Sequence, residues 1–230
     1  MDIGVFGATG VIGRAVVAEA GQRGHRVTAF TRNPARIPAA DEGETRWKVV
    51  DLTDTESAAQ ALTGLDVAVN AINSGDDIPG QIAHADALPA TARVLLKALE
   101  CTPATRLLVV GGGGSLEIAP GVRLIDDEQL LDTTMTDVLG VPREYRTVVR
   151  AHSAVLDLCR LSNRYWTYLS PSAGRIDSGA RTGRYRTGGD AMLPPGDDPR
   201  DISAEDLAVA LLDEAEIPRH IQRRFTVARA

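Results

Sequence analysis

Short apolar runs alternate with segments of helical period along most of the chain. Ile3-Gly4-Val5-Phe6 reads as a strand that runs into Gly7-Ala8-Thr9-Gly10. From Val11 to Gly21 the pattern turns helical, with Val11, Ile12, Ala15, Val16 and Ala18 expected on the buried side. Strands are predicted at Arg26 to Phe30, Trp47 to Val50, Val67 to Asn70 and Leu107 to Val110. Helices are predicted at Thr55 to Leu62, where Gly64 ends the pattern, and at Ala85 to Cys101. Pro89 belongs in the first turns of the second of these or marks its true start. Four- and five-residue strands separated by helices predict an α/β fold, a doubly wound parallel sheet of the Rossmann type.

The rhythm changes after Gly114. Ser115 to Val141 is a mixed connection, Arg143 to Ser162 a helix and Tyr165 to Leu169 a strand. A substrate-covering segment is expected at about 174–200, rich in Gly, Arg and Pro. It should hold a hairpin around Arg184-Tyr185-Arg186 with a turn at Gly188-Gly189-Asp190. Ser203 is placed to cap a helix that Asp206 answers from its third position, and Pro218 stops that helix beyond Glu216. Arg224 to Val227 reads as a last strand. The expectation is a single domain over residues 1–230 with a small C-terminal substrate lobe, its final helix and strand within 203–227.

Composition narrows the functions open to such a fold. A net charge of −6 argues against nucleic acid or an anionic membrane as the partner and leaves a small-molecule substrate. No run approaches the roughly 18 apolar residues of a membrane span. Met1-Asp2-Ile3-Gly4 carries no basic region or apolar signal core, so a cytoplasmic protein is expected, monomer or homodimer. Cys101 and Cys159 are read as free buried thiols, with no disulfide and no metal site. Only Lys48 and Lys97 are lysines.

Gly7-Ala8-Thr9-Gly10-Val11-Ile12-Gly13 follows a strand and opens a helix, the setting in which such a turn binds a dinucleotide. Gly7 permits the tight turn, Gly10 the approach of a pyrophosphate and Gly13 close contact of helix and strand. The amides of Thr9, Gly10, Val11 and Ile12, with the helix dipole, then face the negative charge. Arg32 comes 19 residues after Gly13, where NAD-selective sites carry an acid, and no acid lies beside it. With Thr31 it forms a candidate clamp for a 2′-phosphate, which favours NADPH (NADP) while leaving NADH possible; Arg14 adds a second positive charge. Asp51 and the Leu52 amide end the third strand, placed either to bond an adenine edge or to cap the Thr53-Asp54 turn. Ala71, Ile72 and Asn73 end the fourth, at the edge where ligands bind, with Ala71 small enough to let ribose and phosphates pass.

Together these stretches resemble an atypical short-chain dehydrogenase/reductase, and more closely the bacterial NAD(P)H-flavin reductase group, similar to biliverdin reductase B and NmrA-like proteins. The resemblance also rests on Val110 to Leu116, Trp166 to Pro171, Arg181 to Tyr185, and Ile202-Ser203 with Asp206. It implies a cytosolic NAD(P)H-binding fold with cofactor contacts extending to Gly112 and Pro171. Its reaction centre would lie between Ser115, the helix near Tyr145 and the Ser170-Pro171 turn. Ser172 stands where biliverdin reductase B carries a histidine, which weakens a bilin substrate.

The main short-chain dehydrogenases pair Ser and Tyr with a Lys four residues after the Tyr. Here Ser115 and Tyr145 fit, but the position four on is Val149. A tyrosine without that lysine has a pKa of about 10 and is a poor base for oxidising an alcohol, yet it still donates a hydrogen bond. A flavin or quinone spreads the charge left by hydride and needs less help. His152, two turns beyond Tyr145, touches substrate or fills the core among Val148, Val149, Val155 and Leu156; its neighbours favour the core. Arg175, Arg181, Arg184 and Arg186 either hold an anionic substrate or form a solvated basic hairpin. The leading expectation is an NADPH-dependent oxidoreductase acting on a flavin, quinone or related carbonyl compound. An epimerase, dehydratase or ketoreductase of a biosynthetic pathway and a non-catalytic NmrA-like NADP(H) sensor remain alternatives.

Overall fold

The computed structural model describes residues 1–38, 45–172, 174–194 and 200–230. Its centre is a sheet of eight strands. In chain order the first five are β1 (Asp2–Phe6), β2 (Arg26–Thr31), β3 (Arg46–Val49), β4 (Val67–Asn70) and β5 (Arg106–Val110). A small two-stranded ribbon follows, β6 (Glu117–Ala119) with β7 (Val122–Arg123). Next come β8 (Trp166–Pro171), β9 (Arg175–Asp177), β10 (Tyr185–Gly188), β11 (Arg200–Ser203) and β12 (Arg223–Arg229). The large sheet runs β3-β2-β1-β4-β5-β8-β12-β10, parallel throughout except for β10. The chain winds outward from β1 to β3, then returns past β1 to β4 and outward the other way. That reversal puts a switch point between β1 and β4.

The helices are α1 (Val11–Gln22), α2 (Thr55–Leu62), α3 (Ile78–Ala83), α4 (Ala87–Ala98), α5 (Glu128–Thr133), α6 (Arg146–Arg160) and α7 (Ala204–Glu216). One face of the sheet packs on α1 and α7 through Val5, Val16, Leu108, Leu169, Leu207, Leu211 and Phe225. The other packs on α2, α4 and α6 through Phe6, Phe30, Leu62, Leu95, Leu107, Leu156 and Tyr168. The strands alternate between these faces, as a two-sided buried sheet requires. Phe6 and Phe30 stack across β1 and β2 with centroids 4.6 Å apart. No described helix is long and apolar enough to cross a membrane.

Several local expectations are corrected. The buried stripe of α1 is Gly13, Val16, Glu19 and Ala20, whereas Val11 and Ala18 are exposed. A buried glutamate is illegible as core from sequence. It is held by Arg23, with Nε 2.7 Å from Glu19 Oε1, and by Arg181, with Nε 2.6 Å from Oε2. The long helix begins at Ala87, with Pro89 in its first turn, and the separate α3 precedes it. Tyr185–Gly188 forms no local hairpin; it pairs antiparallel with β12 at the edge of the large sheet. Ser203 caps α7 by accepting from the Asp206 amide at 3.1 Å, but Asp206 does not answer. Its carboxylate instead accepts from the amides of Thr182 and Gly183, each at 2.8 Å, anchoring that loop. Cys101 is exposed; Cys159 is buried, and burial pushes its thiol up to about 12. No described group of residues forms a metal-binding cluster.

Candidate active site

All parallel strands end on the same edge of the sheet, so their following loops line one crevice. Read along that edge, the strand order sets Asp51-Leu52, Thr31-Arg32, the glycine turn, Ala71–Asn73, Gly112–Ser115 and Pro171 in sequence. The sequence-predicted cofactor residues therefore form a single track, with the glycine turn near its middle.

The turn is shaped by backbone contact. Gly7 has φ +81°, and a Cβ there would lie 2.5 Å from the Ala71 carbonyl oxygen. A Cβ on Gly13 would lie 2.1 Å from the Gly7 carbonyl oxygen. These two glycines bind the β1 turn to the β4 loop and to α1. Gly10 differs: it is exposed, and its Cβ direction meets only the Gly7 oxygen, at 3.4 Å. Gly10 caps α1 without a side chain, and no acid lies in the first turn. The first-turn amides of Val11, Ile12 and Gly13 have no carbonyl within the helix to donate to, and half-buried Thr9 borders them.

Beyond the turn, buried Thr31 fixes the end of β2. Its Oγ1 donates to the Asn33 carbonyl at 3.2 Å and accepts from the Asn33 amide at 3.1 Å. Asn33 Oδ1 accepts from the Ala35 amide at 3.0 Å. The bend so locked presents Arg32 to solvent. Among the described residues Arg32 forms no hydrogen bond or ion pair, although it lies close enough to Asp76 to help lower that carboxyl. Arg36 holds Asp76 directly, Nη1 to Oδ1 at 2.7 Å. Arg14 is likewise exposed and unpaired among the described residues. Asp51 Oδ1 accepts from the Thr53 amide and hydroxyl at 2.8 and 2.7 Å, and these bonds lower its pKa. It therefore orders the turn, while Asp54 caps α2 by accepting from Glu56 and Ser57. Leu52 is half-buried beside it.

On the other side of the turn, the Ala71 amide donates to the Phe6 carbonyl at 2.9 Å and the Ile72 amide to Asn70 Oδ1 at 3.2 Å. Asn73 accepts from the Ser74 amide at 2.8 Å. Ser74 Oγ, buried, donates to the Gln81 carbonyl at 2.9 Å. From α3 the Gln81 side chain then accepts the Tyr145 hydroxyl at 2.9 Å. Burial raises the Tyr145 phenol above its usual value. Gln81 is the site residue that the sequence reading missed. Its legible signal is Asp77-Ile78-Pro79, an N-cap with proline just inside a helix start, in which the Asp77 side chain accepts from Gly80.

The loop after β5 lies against both remaining parts of the expected centre. A Cβ on Gly113 would lie 2.4 Å from the Ser172 carbonyl oxygen and 2.9 Å from that of Pro171. Ser115 is buried and turned elsewhere: Arg224 Nη1 donates to its Oγ at 3.0 Å and to its carbonyl at 2.9 Å. Ser115 and Tyr145 thus keep separate hydrogen-bond partners. Ser172 is locked to Leu193, and the buried Ser170 hydroxyl has no described partner. His152 lies over Gly112, and a Cβ there would be 3.5 Å from its ring. Its ring has no hydrogen bond among the described residues, so it is not a satisfied core histidine; burial lowers its pKa to about 4. It stands neutral near pH 7. Arg181 and Arg186 do not line a substrate pocket: the first holds Glu19, the second the carbonyls of Arg229 and Pro194. Arg184 is exposed, and the side chain of Arg175 lies outside the described set.

The profile of the NAD(P)H-binding family matches residues 7–218. The chain belongs to the NAD(P)H-binding family. Within it the chain is 35% identical over 229 residues to the uncharacterised YwnB of Bacillus subtilis, covering 99% of this chain and 98% of that one. A 3-diazoavenalumate denitrifying reductase from Streptomyces is 31% identical over 198 residues, 82% of this chain and 63% of that protein. Among solved structures, a candidate exported protein of Burkholderia pseudomallei is 37% identical with TM-score 0.80, covering 99% of both chains. A candidate NADH-flavin reductase of Streptococcus pneumoniae is 28% identical with TM-score 0.77 over the full length of both.

The residues of this NAD(P)H-binding protein fit a nicotinamide dinucleotide. A side chain at Gly10 would enter space where, among the described residues, only the Gly7 oxygen comes within 4 Å, and the uncapped amides of α1 border that space. Such a turn holds a diphosphate through main-chain donors and the helix dipole.

Proposed function

We propose that the protein is an NADPH-dependent oxidoreductase that delivers hydride to a small conjugated acceptor, a flavin, quinone or related carbonyl compound. When bound, the reduced nicotinamide supplies the hydride. The amides opening α1 would hold the diphosphate, and Arg32 would meet the 2′-phosphate with a guanidinium that has no competing ion pair among the described residues. The cytoplasm, where reduced nicotinamide is kept, is the compartment this reading implies.

The observation that carries the reading is the state of Tyr145. It is half-buried, its hydroxyl donates to a neutral amide, and apolar Val149 stands four residues on. A phenol so placed stays protonated, a poor base for an alcohol and a ready donor to an acceptor oxygen or nitrogen. His152, neutral, beside Gly112 and with no hydrogen bond to its ring among the described residues, supplies a second polar edge without a charge. The acceptor takes one hydride and one proton, and the proton comes from Tyr145 Oη or from water.

NADPH oxidation measured against flavin, quinone and ketone panels, with NADH beside it, tests the proposal. Turnover of flavin or quinone, preferring NADPH, is expected. Rapid oxidation of a simple secondary alcohol by NADP, with no flavin or quinone turnover, overturns it. Tight cofactor binding without turnover across the panels replaces it with the sensor reading.

A further inference from the structure

We propose that Gln81 is the positioning residue for Tyr145, holding the hydroxyl through Oε1 while it is protonated and the oxygen through Nε2 once the proton has gone. The inference rests on the role given to Tyr145 above. The backbone of Gln81 is clamped on both sides. Its amide donates to the Asp77 carbonyl at 2.8 Å, and its carbonyl accepts from Ser74 Oγ at 2.9 Å. Gly75 approaches so closely that a Cβ there would sit 2.5 Å from the Gln81 nitrogen. The side chain is thereby aimed from α3 at the Tyr145 hydroxyl, 2.9 Å away.

The chemistry follows from what an amide offers. Oε1 is an acceptor and Nε2 a double donor, and rotation about the last side-chain bond exchanges them. Nε2 makes no hydrogen bond among the described residues. The Tyr145 O–H first turns from Gln81 Oε1 to the acceptor; as the proton passes over, the O–H bond breaks, its electron pair stays on the phenolate, and the turned Nε2–H donates to that oxygen. A bond to an anion is about twice as strong as the neutral bond it replaces, so the exchange favours release. Tyr145 packs against two apolar clusters, one holding Val148 and the other Leu131, and burial is the cause that raises its phenol. Gln81 is thus the polar partner that eases ionisation at a site without lysine. Water returns the proton after product leaves.

The test labels tyrosine at Cζ in the full-length protein and follows Tyr145 by carbon NMR. The signal is identified among the four tyrosines with Tyr145→Phe. Gln81→Leu should raise the titration of Tyr145 by about one pH unit or more, and Gln81→Glu should raise it further by adding a charge. With quinone as acceptor, Gln81→Leu should lower kcat roughly tenfold while KM for NADPH stays within about twofold, and it should cost nothing more in the Tyr145→Phe background. An unchanged titration in both variants, or an equal loss of rate with and without Tyr145, overturns the inference. If the wild type turns over no acceptor, the functional proposal falls, while the titration still decides on Gln81. Should Gln81→Leu fail to fold, the isosteric Gln81→Glu carries both readouts.

Discussion

Val149 Cγ1 lies so close to Gly114 that a Cβ on the glycine would sit 2.0 Å from it. The position that holds lysine in the main short-chain dehydrogenases is here a packing contact between α6 and the loop after β5. Val149 also borders the small cluster of Leu124, Leu131 and Met135. Gly114→Ala should cost about 1–3 kcal/mol through overpacking, read as a fall in the denaturation midpoint. Val149→Lys should also destabilise, because its ammonium would enter an apolar cluster, and should not confer alcohol oxidation. A stable Val149→Lys variant that oxidises alcohols would show that only the lysine was missing.

Arg32 forms no hydrogen bond or ion pair among the described residues and stands on a bend that Thr31 and Asn33 hold. Arg32→Ala should weaken NADPH binding by about 1.5–3 kcal/mol while NADH binding changes little, because only the 2′-phosphate is lost as a partner. Calorimetric titration of both nucleotides checks this. Equal weakening of the two would move Arg32 from a phosphate clamp to a structural role.

Glu19 couples stability to pH. Its hydrogen bond with Arg181, aided by Arg23, lowers the carboxyl from 4.5 to about 2 against the cost of burial. A carboxylate with a depressed folded pKa contributes stability above the unfolded value, and that contribution is lost as pH falls through the folded one. Between pH 4.5 and 2 the wild type should lose about 3 kcal/mol from this group. Glu19→Gln should be less stable at neutral pH and flatter across that window, as denaturant titrations at each pH would reveal.

Arg224 joins pieces of chain far apart in sequence. It donates to Ser115 and, through Nε at 2.9 Å, to Asp190. Arg224→Ala should cost about 1–3 kcal/mol, since it leaves buried Ser115 without this donor while Asp190 keeps the bond from Arg160 Nη2 at 3.1 Å. Ser115→Ala should retain most turnover if this bond is the main duty of its hydroxyl. A loss of rate of a hundredfold or more, with stability intact, would return Ser115 to a direct part in the reaction.

What the sequence revealed and what it hid divide along the range of the interactions. The β1–glycine turn–α1 unit was legible because strand, turn glycines and helix lie in one short stretch and each residue type has a local reason. The doubly wound parallel sheet followed from the alternation of short strands and helices. Contacts between distant segments left no local trace. Arg224 meets Ser115 from 109 residues away, and β10 finds its partner in β12 rather than in its neighbour. The burial of Glu19 left no local trace because Arg181, which closes over it, comes from 162 residues away. Gln81 was passed over because α3 is only six residues long and rich in small residues, too short for a period to emerge. His152 sat among valines in sequence, and nothing local showed that its side chain would lie beside Gly112.

Isothermal titration of the purified full-length protein with NADPH, NADP and NADH reaches the central claim most directly. A saturating heat with one site per chain is predicted for NADPH and NADP, with NADH at least about tenfold weaker. No heat from either phosphorylated nucleotide, or tighter binding of NADH, would contradict the account.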